Sequence, residues 1–174
     1  MDISKLKVGD IGFSFNKRNI FSYLIWKFST FPDYSIKPIY PKISHVFLYL
    51  GDSFIFEATI KNGVIITDIS KYIEGKHNLI FKRHKNFTED MTGKFYKEIC
   101  KYYGKKYSKL QILLFLIKKF FFLKFVPDYC KEELICSELV VEIYNSLGLF
   151  HIKNPHMTTP YDIYRRLDLI DVEL

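Results

Sequence analysis

Two runs rich in β-branched and aromatic residues, residues 43–50 and 54–59, are separated only by Gly51-Asp52-Ser53. A connection this short joins antiparallel neighbours, so the two runs are expected to form a hairpin. Asn62-Gly63 predicts a second tight turn into a strand over residues 64–68. Residues 8–15 read as a turn entering a short strand, and residues 80–83 offer another. Residues 19–28 suggest a short aromatic helix, followed by a loop to about residue 42. The later chain changes period. Residues 88–103 carry Thr88 as an N-cap candidate, acidic residues in the first turn, Met91, Phe95 and Ile99 on one face, and Gly104 as a stop. Residues 136–148 form a second helical pattern, and Thr159-Pro160-Tyr161-Asp162 opens a last helix with Thr as cap and Pro at the first helical position. Strands followed by helices argue for an α+β layout around an antiparallel sheet.

With 174 residues the chain suits one domain, residues 1–174, and no repeat or Gly/Ser linker divides it. Its 26 Lys+Arg against 19 Asp+Glu leave a net charge of +7, which favours acidic partners without choosing among them. That charge and the 18% aromatic content are all that supports a nucleic-acid binder. No recognition-helix or RNP-like motif accompanies them, so nucleic acid is not an expected partner. Cys100, Cys130 and Cys136 are odd in number and lack C-x-x-C spacing, which fits a reducing compartment. The first ten residues lack the apolar core of a secretory signal, so a cytoplasmic location is expected. Residues 110–126 are strongly apolar but contain Lys118, Lys119 and Lys124, too short and too charged to span a bilayer. They read either as a helix packed on the core or as an interfacial segment giving peripheral membrane contact.

Cys136 stands at the first turn of its helix, and Cys136, Leu139, Val140, Ile143 and Leu147 form an inward stripe that ends at Gly148 as a left-handed C′ residue. A thiol there feels unpaired N–H groups and the positive end of the helix dipole, which favour thiolate. Most free cysteines are nonetheless small buried hydrophobes, and the helix alone does not separate the two readings. A nucleophile needs a base and an orienting group, and the hairpin offers His45 and Glu57. With a Gly51-Asp52-Ser53 loop Phe47 faces Glu57 and His45 is its diagonal neighbour; with a Leu50-Gly51-Asp52 loop His45 and Glu57 are directly opposite. A carboxylate between Phe54, Ile55, Phe56 and Ala58 is costly unless paired, although a satisfied core pair would also pair it.

His77, His84, His151 and His156 lie among Lys, Asn and Pro and read as solvated loop residues without metal-site spacing, so neither metal nor cofactor is expected. Asp10 reads as a turn cap, and Lys82-Arg83-His84-Lys85 and Lys105-Lys106 as solvated charge or else anion-binding patches.

Seven short motifs then occur in order: G-D-I at 9–11, S-H-V with Y-x-G at 44–51, E-A at 57–58, G-V-I at 63–65, G-K-x-Y at 104–107, C-S-E-L-V at 136–140 and T-P-x-D-I at 159–163. The set resembles the circularly permuted NlpC-like papain-fold proteins, specifically the YiiX/YebB-like group, to which poxvirus proteins of this size are similar. The resemblance implies a permuted papain-like fold, an antiparallel sheet or small barrel packed against helices, with the histidine strand ahead of the cysteine helix. It also implies a Cys136, His45 and Glu57 site that attacks an acyl carbon and passes through a covalent acyl-enzyme. Related permuted branches include amidases, peptidases and lecithin:retinol acyltransferase-like enzymes. The long aromatic, lysine-rich stretch between Tyr107 and Cys136 departs from the bacterial pattern and leaves the substrate open.

The expected activity is therefore a thiol-dependent hydrolase or acyltransferase acting on an amide or ester, with a lipid or lipid-modified peptide favoured by residues 110–126. The alternative is a non-catalytic module that holds a lipid or peptide in the same groove. Backbone N–H groups at the start of the Cys136 helix are the expected oxyanion donors. Tyr49 or Tyr34 are side-chain candidates for the same task.

Overall fold

The computed structural model describes residues 2–29, 41–120 and 133–174. In chain order the elements are β1 (Ile11–Phe15), α1 (Ile20–Ser29), β2 (His45–Gly51), β3 (Phe54–Thr59), β4 (Gly63–Asp68), α2 (Ser70–Glu74) and β5 (Asn78–His84). They continue with α3 (Thr92–Tyr102), β6 (Lys106–Tyr107), α4 (Lys109–Phe120), β7 (Glu133–Leu134), α5 (Cys136–Ser146), α6 (Pro160–Tyr164) and β8 (Leu169–Asp171). Six strands form one antiparallel sheet in the order β4-β3-β2-β1-β5-β8, and β6 pairs with β7 in parallel. The protein is thus α+β. Among the described residues its main sheet ends at β4 and β8, the antiparallel-sheet form of the expected layout.

Side chains alternate across the pleat, and both faces are covered. Val46, Leu48, Phe56 and Ala58 join Ile11 and Phe13 on the face that packs against Leu139, Val140 and Ile143 of α5 and Phe95 of α3. Phe47, Tyr49, Ile55 and Phe81 point the other way and pack with Leu6, Ile69 and Tyr72. Residues of β2 are therefore buried in succession, which fixes which residues face the second layer.

The α5 end follows expectation. Gly148 has φ 75°, its N–H donates to the Asn145 carbonyl at 2.9 Å, and the Leu149 N–H reaches back to the Tyr144 carbonyl at 2.9 Å. Thr159 caps α6 through a reciprocal box with Asp162, whose N–H donates to the Thr159 hydroxyl at 3.0 Å. Other boundaries differ. The helix expected from residue 88 begins with a 3-10 turn, Glu89–Met91, and Thr88 makes no side-chain cap, because the first turn tightens to i→i+3 bonding. The second hairpin turns through residues 60–62, with Gly63 already paired to Thr59, rather than through Asn62-Gly63. The Thr59 hydroxyl holds this wider turn by accepting from the Asn62 N–H at 3.2 Å.

Gly63 sits where the chain crosses β6: it has φ 72°, and a Cβ built on it would collide with the Lys105 carbonyl oxygen. Its neighbour Val64 donates to that oxygen at 2.8 Å, and Gly104 donates to the Val64 carbonyl at 2.9 Å. Gly63→Ala should therefore lower stability by about 1–3 kcal/mol, read as a reduced denaturation midpoint with an unchanged slope.

The short elements α2, β6, β7 and β8 were not anticipated. Of the apolar stretch 110–126, residues up to 120 lie in α4 and residues 121–126 fall outside the described residues. Among the described residues, no helix is long and apolar enough to cross a membrane.

Candidate active site

The hairpin register decides how His45 meets Glu57. Leu48 pairs with Phe56 and Tyr49 with Ile55, and a bulge between Tyr49 and Gly51 lets Gly51 pair with Phe54. Continuing that register places Phe47 opposite Glu57 and His45 on the diagonal, the first of the two expected arrangements. The diagonal is short enough for His45 Nε2 to lie 2.9 Å from Glu57 Oε2. Ser44 fixes the start of β2 by donating its N–H to the Ser14 carbonyl at 3.0 Å.

Glu57 is fully buried, and each of its oxygens has two partners. Oε2 takes His45 and the Tyr72 hydroxyl, which donates at 2.5 Å. Oε1 takes the Thr67 hydroxyl at 2.6 Å and the Lys71 ammonium. Burial alone would raise this carboxyl, but the bonds and charge from His45, followed by Lys71 and Thr67, hold it well below the usual carboxylate range. Burial and the adjacent Glu57 charge push the Tyr72 hydroxyl up, so it stays a donor. Its ring also lies nearly parallel to the imidazole, 13° apart with centroids at 6.1 Å, and restrains the rotation of His45.

Cys136 begins α5 and is 6% exposed. Ile135, extended at φ −93° and ψ 164°, delivers the chain to it, and the Ile135 N–H donates to Glu138 Oε2 at 3.3 Å. Ser137 anchors the same turn by donating its hydroxyl to the Thr158 carbonyl at 2.6 Å. The Cys136 sulfur lies near enough to His45 for its charge to act on the imidazole. Burial pulls the imidazolium down, but the neighbouring Cys136 and the bond and charge of Glu57 outweigh it and raise His45 to about 10. The structure therefore brings together all three expected residues, from β2, β3 and the N-terminus of α5.

Two depressions meet at this chain of groups. An apolar slot of about 30 Å³ is lined by Cys136 with Ile25, Ile112, Ile135, Tyr107 and Pro160. A wider cleft of about 300 Å³ is lined by His45 with Ser14, Asn19, Thr59, Lys61 and His77. Tyr107 belongs to both, and burial and the neighbouring sulfur charge push its hydroxyl well above its ordinary value, which keeps it a donor.

Several other readings need correction. Tyr49 lies at the turn end of β2, where its hydroxyl accepts from the Ser53 N–H at 3.3 Å, and it cannot serve as an oxyanion donor; Tyr34 lies outside the described residues. His84 is not solvated: β8 covers it, Asp168 lies 3.4 Å from its Nε2, and its Nδ1 accepts from the Asn86 N–H at 3.1 Å. His156 is buried and His77 half-buried edge-on to Tyr72, whereas His151 is exposed as expected. Asp10 does cap its turn, accepting from the Lys7 N–H at 2.8 Å, but it also grips Arg83 through two bonds of 2.7 Å. Lys82 is buried beside Asp171 at 3.3 Å, because β5 runs between β1 and β8 and its side chains are covered. Cys100 is exposed on α3, and Cys130 lies outside the described residues. Among the described residues no group of three or more His, Cys, Asp or Glu is placed to hold a metal ion.

Thr67, Lys71, Tyr72 and Tyr107 were missed. Thr67 was findable, since it shares the parity of Ile65, which pairs with Glu57. Lys71 and Tyr72 sit on a five-residue helix too short for any period to declare.

The described residues thus define an α+β protein in which a thiol at a helix N-terminus lies near an imidazole that is hydrogen-bonded to a buried carboxylate. No protein-family model and no curated protein sequence matches the chain.

Proposed function

We propose that this protein is a thiol-dependent hydrolase or acyltransferase that cleaves an amide or ester through a Cys136 acyl-enzyme, on a permuted papain-like fold of the NlpC type. The observation that carries this reading is the bond of His45 to the fully buried Glu57 carboxylate, with Cys136 near enough to the same imidazole to act on its charge. A carboxylate isolated in a core is costly, and four donors converging on one oxygen pair suit a group that must stay ionised to hold an imidazolium. The order of the chain, with the histidine strand before the cysteine helix, matches the permuted arrangement.

In the reaction the Cys136 thiolate attacks the carbonyl carbon and forms a C–S bond, while negative charge moves to the carbonyl oxygen. That charge would be received by the backbone N–H of Cys136 and by the Tyr107 hydroxyl, since both residues line the slot beside the sulfur. Collapse of the tetrahedral adduct breaks the C–N or C–O bond, and the leaving group takes the proton held by His45. Water or another acceptor then gives a proton to His45 as its oxygen or nitrogen attacks the thioester, which restores the thiolate. Glu57 keeps its charge throughout and orients the ring.

Intact-mass measurement after brief exposure to an electrophile panel of amides, esters and acyl probes tests this. One adduct at Cys136, formed ahead of Cys100 and Cys130, is expected; equal labelling of all three would overturn it.

The pH dependence follows from His45. Its folded value lies above the ordinary 6.5, so the stabilisation from the imidazolium is fully present below that pH and is lost as pH rises through about 10. The alkaline limb of kcat/KM should therefore lie near pH 10, and Tyr72→Phe, which removes one bond from Glu57, should change its position while leaving the limb present.

A further inference from the structure

Beside the cleft that holds His45 lies a groove of about 430 Å³ in which Lys61, Lys105, Lys106 and Lys109 meet, with Glu133 its one carboxylate among the described lining residues. These lysines come from two distant segments. The backbone bonds between Val64 and residues 104–105, and the close pass at Gly63, hold those segments together. None of the four ammonium groups is paired with a carboxylate among the described residues. The Lys105 ammonium instead lies 4.9 Å above the Tyr102 ring. Like charges gathered in this way repel one another, so the groove is electrostatically incomplete without an anion.

Its position gives that charge a use. Ile60, Lys61 and Tyr107 line both the groove and the His45 cleft, so the two are continuous. The described lining of the cleft itself contains no carboxylate. His45 must protonate the departing group, which therefore lies on the cleft side, whereas the apolar slot beside Cys136 faces the acyl side. We propose that the lysine groove receives an anionic, phosphate- or carboxylate-bearing part of the substrate, carried on the leaving-group side of the scissile bond. This rests on the enzyme reading above and adds to it the charge and polarity of the substrate. Lysines act here as point charges on flexible stems, which suits a phosphate or carboxylate without demanding one geometry.

The test uses the full chain and two electrophiles that differ at one end, the chloroacetamides of 2-aminoethyl phosphate and of n-butylamine. In each, the Cys136 thiolate displaces chloride, forming C–S as C–Cl breaks. The phosphate reagent should alkylate Cys136 about tenfold faster than the neutral one at low ionic strength, after correction by their rates with glutathione, and the gap should shrink as salt shortens the Debye length. The triple change Lys61→Glu, Lys106→Glu and Lys109→Glu should erase or reverse the preference. Lys94→Glu, Lys97→Glu and Lys153→Glu, which alter net charge equally at exposed positions elsewhere, should retain it. A Lys→Gln version of the first triple replaces it if the charge reversal does not fold.

Protection of Cys136 by glycerol 3-phosphate would mark a small phosphoester, and protection only by phosphatidate vesicles a lipid headgroup. Equal alkylation of Cys136 by both reagents, or a preference kept by the groove variants, would overturn the groove proposal alone. Failure of either reagent to select Cys136 over Cys100 and Cys130 would overturn the enzyme reading, and the groove proposal with it.

Discussion

Cys136→Ala should reduce turnover of any competent amide or ester by about 10⁴-fold or more, since removing a nucleophile leaves only the binding and oxyanion contributions. Cys136→Ser should fall by a similar factor, because an alcohol is a far weaker acid and a weaker nucleophile than a thiol. The fold should survive both changes. Cys136 belongs to the core cluster, but loss of one sulfur atom from a side chain next to an open slot costs about 1 kcal/mol. The check is steady-state kinetics paired with thermal unfolding: a dead variant with a near-native midpoint supports the nucleophile assignment. Retained turnover in Cys136→Ala would remove it. Cys100→Ser, an exposed change on α3, should leave both quantities as they are.

Glu57→Gln should have the next largest effect, and it should act on chemistry and stability together. The substitution keeps size but places an amide where His45, Thr67, Tyr72 and Lys71 all donate. An amide nitrogen accepts nothing, so at least one of these donors is left facing another donor. The stability cost should be about 3 kcal/mol, the range for breaking a buried charge-assisted set. Lys71 contributes the smaller share because its side chain is 42% exposed and can turn to water. The rate should fall by about 10²–10⁴-fold, as when an orienting carboxylate is lost from a catalytic triad. The pH dependence has a definite sign. The Glu57 carboxyl is held below its ordinary 4.5, so its stabilisation is fully present above that value and disappears only as pH falls well below it. Wild type should therefore resist acid better than Glu57→Gln, and the variant's alkaline limb should move down because His45 loses a charge that raised it. Chemical denaturation across pH with parallel kcat/KM profiles reads both effects; unchanged profiles would show that Glu57 does not hold the imidazole.

The hairpin was legible because a three-residue spacer admits one kind of pairing, and parity then limits which residues share a face. The two registers weighed from the sequence differ in which three residues form the loop, whereas the chain turns through Asp52-Ser53 and leaves Leu50 as a bulge that keeps the first register for His45 and Glu57. Local sequence does not choose between such bulges; the second-face core of Phe47, Tyr49 and Ile55 against Tyr72 does. Charge was legible as a total and misread in place. Lys82, Arg83 and His84 read as a solvated run, yet β5 lies inside the sheet and each of the three faces an acidic partner, Asp171, Asp10 or Asp168. The four lysines around Tyr107 give no such signal, because Lys61 is distant in sequence from the others.

By itself the sequence determined the α+β layout, the helix that starts at Cys136 and stops at Gly148, and the strand positions of His45 and Glu57. Those follow from period, parity and capping, which act within a few residues. Only the tertiary structure decided that the sulfur meets the imidazole, that Thr67, Lys71 and Tyr72 close around Glu57, and that lysines from residues 61 and 105–109 share one groove. These contacts join residues far apart in the chain, and they form because α5 packs on one face of the sheet and α2 on the other, so that burial of both faces draws the distant segments together.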